Sequence, residues 1–124
     1  MTAGAAHLAA GRAAEDAACA ELARQGFSLL FRNYRTRRGE IDIVALEGEV
    51  LAIVEVRYRA RSDYGSAAES VTWRKQSRWA RAARELLARE PDLARLPARF
   101  DLVEVEDGAG DELRCRLTRA AFSL

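Results

Sequence analysis

Three ionisable residues fall inside segments that otherwise read as buried strands. They are Asp42 in "EIDIVAL" and Glu55 and Arg57 in "IVEVRYR". Glu55 and Arg57 lie two apart, so an extended chain sends both side chains to one face. If the two segments form a hairpin, its parity decides whether Asp42 joins them. A two-residue loop at Glu47–Gly48 sets Asp42 opposite Ile53, and a four-residue loop sets it opposite Glu55. Ile53 and Glu55 share a face, so either register brings Asp42 within about 5–8 Å of Glu55. A three-residue loop would put them on opposite faces. Two carboxylates that close repel each other, and burial adds a desolvation cost. A hard divalent cation such as Mg²⁺ would offset both, since it takes a few carboxylates and keeps several waters. Arg57 would offset them too, as a plain ion-pair partner. The metal arrangement suits phosphate chemistry: the ion polarises a phosphoryl oxygen and lowers the pKa of a bound water. A cation beside it, Arg57, would orient the nucleophile and stabilise developing negative charge.

The elements around these residues follow from pattern. Residues 5–25 are Ala-rich and predict a helix that Gly26 stops. Strands are predicted at 27–34, 40–46 and 50–59, with "EGE" (47–49) as the hairpin turn. Residues 60–71, which include Tyr64 and Gly65, read as a loop. Thr72 offers an N-cap for a helix over 73–90, with Trp79, Ala82, Ala83, Leu86 and Leu87 as its apolar, core-facing stripe and Pro91 as its stop. Arg81 and Glu85 on this helix are placed to pair at i, i+4. Further strands are predicted at 99–106 and 113–117. The order is α-β-β-β-α-β-β, an α/β sandwich around a mixed sheet, in one domain spanning 1–124.

Composition bounds the function. The chain has 124 residues, 49% hydrophobic and 31% charged, which suits a folded domain rather than a disordered one. No apolar run approaches the roughly 18–20 residues of a membrane span, and the start lacks a signal-peptide pattern. Cys19 and Cys115 are isolated, with no metal-ligand spacing, so a reduced, cytoplasmic protein is expected. Charge is uneven behind a net of +1. Residues 40–56 hold five acids and no base, while "FRNYRTRRG" (31–39) holds four Arg and no acid. An acidic cluster beside basic segments suits a metal site and a polyanionic substrate. Every basic residue but Lys75 is Arg.

Several segments together carry a resemblance: "GRAAEDAA", "NYRTRRGEIDIVALEGEVLAIVEVRYR", "YGS" and the "KQ" of the second helix. They resemble the YraN-like family of uncharacterised bacterial proteins, itself similar to archaeal Holliday junction resolvases and the restriction-endonuclease-like nucleases. The resemblance covers nearly the whole chain. It implies an α-β-β-β-α-β core with a mixed central sheet flanked by helices. It also implies roles: Glu15 as the helix acid and an outer metal ligand, Asp42 as a direct ligand, and Glu55 as the first residue of Glu-x-Lys. The Val56 carbonyl would be a further ligand, and Lys75–Gln76 would contact the phosphate or a site water. Arg57 departs from the pattern, standing where the family has Lys. Lysine can lose its proton when buried and arginine effectively cannot.

The expected function is a Mg²⁺- or Mn²⁺-dependent DNA phosphodiesterase acting on branched or flap structures. Arg35, Arg37, Arg38, Arg59, Arg74, Lys75 and Arg78 are its expected backbone contacts, with Trp73 a candidate for base stacking. Two alternatives stand beside it. One is a nucleic-acid-binding module of the same fold whose catalysis is impaired by Arg57. The other is a dimerising interaction protein that uses the "IVEVRYR" hairpin as an apolar edge. No membrane partner is expected, and a homodimer is the assembly considered.

Overall fold

The computed structural model describes residues 3–59 and 73–123, with side chains over 11–59 and 74–123. Tyr64, Gly65, Thr72 and the side chains of His7 and Trp73 lie outside the described residues. In chain order the elements are α1 (Ala3–Arg24), β1 (Ser28–Thr36), β2 (Gly39–Glu47), β3 (Val50–Arg59), α2 (Trp73–Arg89), β4 (Ala98–Asp107) and β5 (Leu113–Phe122). A short 3₁₀ turn, Leu93–Arg95, which the sequence pattern did not reveal, precedes β4.

Helix α1 ends as its Gly26 predicts. Gly26 takes φ 96°, its N–H bonds the Ala23 carbonyl, and the Phe27 N–H bonds the Leu22 carbonyl at 2.9 Å. These are the two bonds of a Schellman stop, and its usual hydrophobic contact falls to Leu22 and Phe27, both in one buried cluster. The chain then enters the sheet.

The sheet has five strands in the order β1-β2-β3-β4-β5. β3 and β4 are parallel, and every other neighbouring pair is antiparallel. A helix covers each face. Ala14, Ala18 and Leu22 of α1 pack on Ile43, Ala45, Ala52, Val54, Val103 and Val105. Ala82, Ala83 and Leu86 of α2 pack on Ile41, Val44, Leu51 and Ile53. Burying a Leu such as Leu86 contributes about 1.5–3 kcal/mol. This is the expected α/β arrangement, a mixed sheet between two helices, compatible with the α-β-β-β-α-β restriction-endonuclease-like core that the resemblance implies.

Two expectations are corrected. β3, which carries "IVEVRYR", is the central strand, paired with β2 on one side and β4 on the other. Over Val50–Val54 it has no free edge, and from Glu55 to Arg59 it is paired with β4 alone. β5 runs to Phe122 rather than stopping at 117. It does so through a bulge: Phe100 faces Phe122 while Leu102 faces Thr118, and Ala120 takes φ 51°. The buried Asp101 carboxylate accepts the Ala120 N–H at 2.9 Å. That acceptor satisfies the donor the bulge removes from the ladder.

Candidate functional site

The site forms where two strands part. β2 and β3 pair from Glu47↔Val50, across a two-residue turn whose first residue, Gly48, has φ 60°, as far as Ile43↔Val54. Beyond that pair β3 continues beside β4 to Arg59, and β2 continues beside β1 to Gly39. The next residues into this fork are Asp42 and Glu55. Alternation along β2 breaks here, since Ile43 packs under α1 while Ile41 packs under α2. On β1, between the partners of those two residues, Asn33 takes φ 52°. The break lets the Asp42 carboxylate reach across the fork, where Oδ2 accepts the Val56 N–H at 2.9 Å.

Asp42 and Glu55 therefore meet, as hairpin parity predicts for Leu46 opposite Leu51, the observed register. Both are half-buried. Burial, then the Asp42 charge and a hydrogen bond to it, push the Glu55 carboxyl up to about 9. Burial likewise raises Asp42, against the Val56 N–H and the bond to Glu55, which favour its charged form. Both acids are raised, so the pair retains a proton shared between the two carboxylates as pH rises through the ordinary carboxylate range. A cation could take that proton's place. Among the described residues no three His, Cys, Asp or Glu side chains form a metal cluster, so the donor set is two carboxylates and backbone. In an extended strand the N–H and C=O of one residue face the same side, so the Val56 carbonyl shares the fork with its N–H. Two carboxylates and a carbonyl suit a hard cation that keeps several waters.

Arg57 neutralises neither acid. No ion pair among the described residues involves it. Its guanidinium carbon lies 5.6 Å from the Trp79 ring centroid, and its Nε is buried without a hydrogen-bond partner. Its charge still lowers the Glu55 pKa, as does that of Lys75. Beside Glu55 lies a small cavity lined by Ile41, Ile53, Trp79, Phe100 and Phe122. Trp79 is thus a half-buried wall of the site rather than a core residue.

The remaining candidates are spread around this centre. Glu15, on α1, sits 3.5 Å from Arg32, and its charge raises Asp42. It does not complete a three-acid cluster. Lys75 and Gln76 are half-buried in the first turn of α2, while Arg74 and Arg78 are exposed on the same helix. Arg59 ends β3 opposite Glu106. Arg35, Arg37 and Arg38 sit at the β1–β2 hairpin tip, exposed, with Arg35 3.4 Å from Glu40. The tip is tied to α2. Glu85 accepts the Arg37 N–H at 2.8 Å, and Arg89 donates to the Arg35 carbonyl at 2.8 Å. Glu85 pairs with Arg89 at 2.6 Å, and among the described residues no bond joins it to Arg81.

Sequence reasoning missed the group that carries Phe122 to the site. Asp101, fully buried, holds Arg99 through two bonds of 2.7 and 2.8 Å. Arg99 and Arg119 both bond Glu47. The one available signal was an Arg and an Asp two apart at the start of an apolar strand, "RFDLVEVE".

Comparison with known proteins matches residues 14–105 to the profile described as uncharacterised protein family UPF0102. A UPF0102 protein of Symbiobacterium thermophilum is 48% identical over 115 residues, covering 90% of this chain and 94% of that one. One from Pseudomonas savastanoi pv. phaseolicola is 42% identical over 113 residues, covering 91% and 92%. One from Pseudomonas aeruginosa is 44% identical over 100 residues, covering 81% and 80%.

Proposed function

The chain belongs to the uncharacterised protein family UPF0102, and we propose that it is a metal-dependent phosphodiesterase acting on DNA, with branched or flap structures as its substrate class. The carrying observation is the Asp42–Glu55 pair, two half-buried carboxylates hydrogen-bonded to each other and both raised by burial. Two carboxylates this close repel each other once both are ionised. Perturbed acids of this kind gather at functional sites.

In this reading Asp42, Glu55 and the Val56 carbonyl hold Mg²⁺ or Mn²⁺, with Glu15 as an outer partner. Bound there, the ion would polarise a phosphoryl oxygen and lower the pKa of a water. The chain's own residues supply the rest. The Val56 N–H fixes the Asp42 carboxylate. Arg57, always charged, stabilises negative charge and does not act as a base. The hairpin tip with Arg35, Arg37 and Arg38 holds the DNA backbone. Arg59 and the start of α2, with Arg74, Lys75, Gln76 and Arg78, extend that contact. No helix among the described residues is long and apolar enough to cross a membrane.

One observation favours a second reading. The permanent charge of Arg57, stacked on Trp79, fits a module that binds DNA without cutting it. The test is incubation of the purified chain with Mg²⁺ or Mn²⁺ and labelled linear, flap and four-way DNA, beside Asp42→Asn and Arg57→Lys. Metal-dependent cleavage that Asp42→Asn abolishes supports the enzyme. Binding without cleavage, with activity appearing in Arg57→Lys, supports the module. Absence of salt-sensitive DNA binding eliminates both.

A further inference from the structure

An acid and a guanidinium two residues apart on one strand face are within reach of a charge-assisted bond. Glu55 and Arg57 make none. Arg57 lies instead over the Trp79 ring, 5.6 Å from its centroid. Its Nε is the only buried side-chain nitrogen or oxygen among the described residues with no hydrogen-bond partner. A desolvated donor left unpaired is unfavourable, so something must hold the side chain there. The attraction of a cation for an aromatic face is that force.

Trp79 is itself braced. Its ring centroid is 5.1 Å from that of Phe122, and Phe122 stacks 4.9 Å from Phe100. Phe122 faces Phe100 across the β5 bulge that Asp101 pins at Ala120. A continuous aromatic row therefore runs from the sheet edge to the guanidinium beside Glu55.

We propose that Trp79 is a positioning residue that keeps the Arg57 guanidinium off the Glu55 carboxyl, leaving Glu55 open to a divalent cation. Without the ring, the same side chain folds onto Glu55 and occupies the cation's place with its own charge. The guanidinium remains near enough to act on a bound phosphate, and its charge is not spent on the acid beside it. The part of this concerning the cation rests on the metal reading of the site, while the position of Arg57 does not.

The test uses the full-length chain, ¹⁵N-labelled, without and with Mn²⁺. In metal-free wild type the Arg57 Nε–Hε proton is expected upfield, under the ring current of Trp79. In Trp79→Leu it is expected to move downfield as it bonds to Glu55, and in Trp79→Phe to stay close to wild type. Mn²⁺ binding, read by electron paramagnetic resonance, is expected to weaken about tenfold in Trp79→Leu. It should be nearly unchanged in Trp79→Phe and restored in the double variant Trp79→Leu/Arg57→Ala. Thermal melts of each variant check the fold.

An Arg57 signal that Trp79→Leu leaves in place overturns the proposal. So does a shifted signal with unchanged Mn²⁺ affinity. If wild type itself binds no Mn²⁺, the metal reading fails and the role of Trp79 toward a cation fails with it. The metal-free spectra then still decide, separately, whether Trp79 holds Arg57 away from Glu55.

Discussion

Asp42, one residue beyond the last pair of the β2–β3 ladder, accepts the Val56 N–H on Oδ2 at 2.9 Å. A side chain thus satisfies a backbone donor two residues past Val54, where the strands part. The carboxylate has two tasks, closing the fork and lending charge to it, and substitution separates them. Asn keeps an oxygen acceptor and removes the charge, whereas Ala removes both. Asp42→Asn is expected to fold at least as stably as wild type in metal-free buffer. Asp42→Ala is expected to lose roughly 1–2 kcal/mol, because the Val56 donor is left without its partner. Urea denaturation of the two variants reads the difference, and equal midpoints would remove the structural task.

The acid pair also sets a pH dependence. The folded Glu55 carboxyl sits at about 9, against an ordinary value of 4.5. The folded state therefore binds more protons than the unfolded one between those values. Its contribution is fully present below about pH 4.5 and is lost as pH rises toward 9. Asp42, also raised, acts in the same direction. Glu55→Gln carries no such proton, so its stability advantage over wild type is expected to widen from pH 5 to pH 9. Urea midpoints at pH 5, 7 and 9 test this, and a constant gap would contradict the raised carboxyl.

How far could the sequence reach? The hairpin around Gly48 was legible because alternation in "EIDIVAL" and "VLAIVEVRYR" fixes which side chains share a face. The meeting of Asp42 with Glu55 followed from that parity. The irregularity at Asn33 and Asp42 was not legible, because nothing in local pattern marks where two strands separate. Helical period identified Ala82, Ala83 and Leu86 as the inward stripe of α2. It also placed Trp79 in the core, since period assigns a face and not what that face meets. Glu47 shows a further limit. It looks like a turn acid, yet its partners Arg99 and Arg119 lie 52 and 72 residues away. Only the tertiary fold brings them together.

A divalent cation should compete with the shared proton of the pair. Mn²⁺ is expected to raise the melting temperature of wild type and to leave Asp42→Asn and Glu55→Gln unmoved. Ligand at 100 times its dissociation constant stabilises by about 2.7 kcal/mol. The shift should be larger at pH 8.5 than at pH 6, because less of the pair is then protonated. A differential-scanning series at fixed ionic strength measures this. An equal shift in Glu55→Gln would place the ion elsewhere.

Glu47 acts in the opposite pH range from Glu55. Its bonds to Arg119 and Arg99 hold its carboxyl down at about 2. A depressed acid contributes stability above its unfolded value, near 4.5, and loses it as pH falls toward 2. The group is close to solvent, so the contribution is modest, about 0.5–1 kcal/mol. Glu47→Gln is expected to lower stability by that amount at pH 7 and to match wild type near pH 2. Parallel denaturation curves at the two pH values decide it.

Asp101 is expected to be the most sensitive residue of this end of the sheet. It is fully buried, takes two bonds from Arg99 and accepts the Ala120 N–H of the β5 bulge. Asp101→Ala leaves Arg99 with Glu47 as its remaining acid partner and strands the Ala120 amide donor, a loss of roughly 1.5–3 kcal/mol. Asp101→Asn keeps the acceptor for Ala120 and weakens only the charge pairing, so a smaller loss is expected. The bulge fixes where Phe122 meets Trp79, and so a local change at Asp101 should reach the site. In Asp101→Asn, the Arg57 Nε–Hε resonance should stay near its wild-type position if the bulge survives. It should move along with the Phe122 ring resonances if the bulge opens. An Arg57 signal that stays fixed while Phe122 shifts would disconnect the aromatic row from the guanidinium.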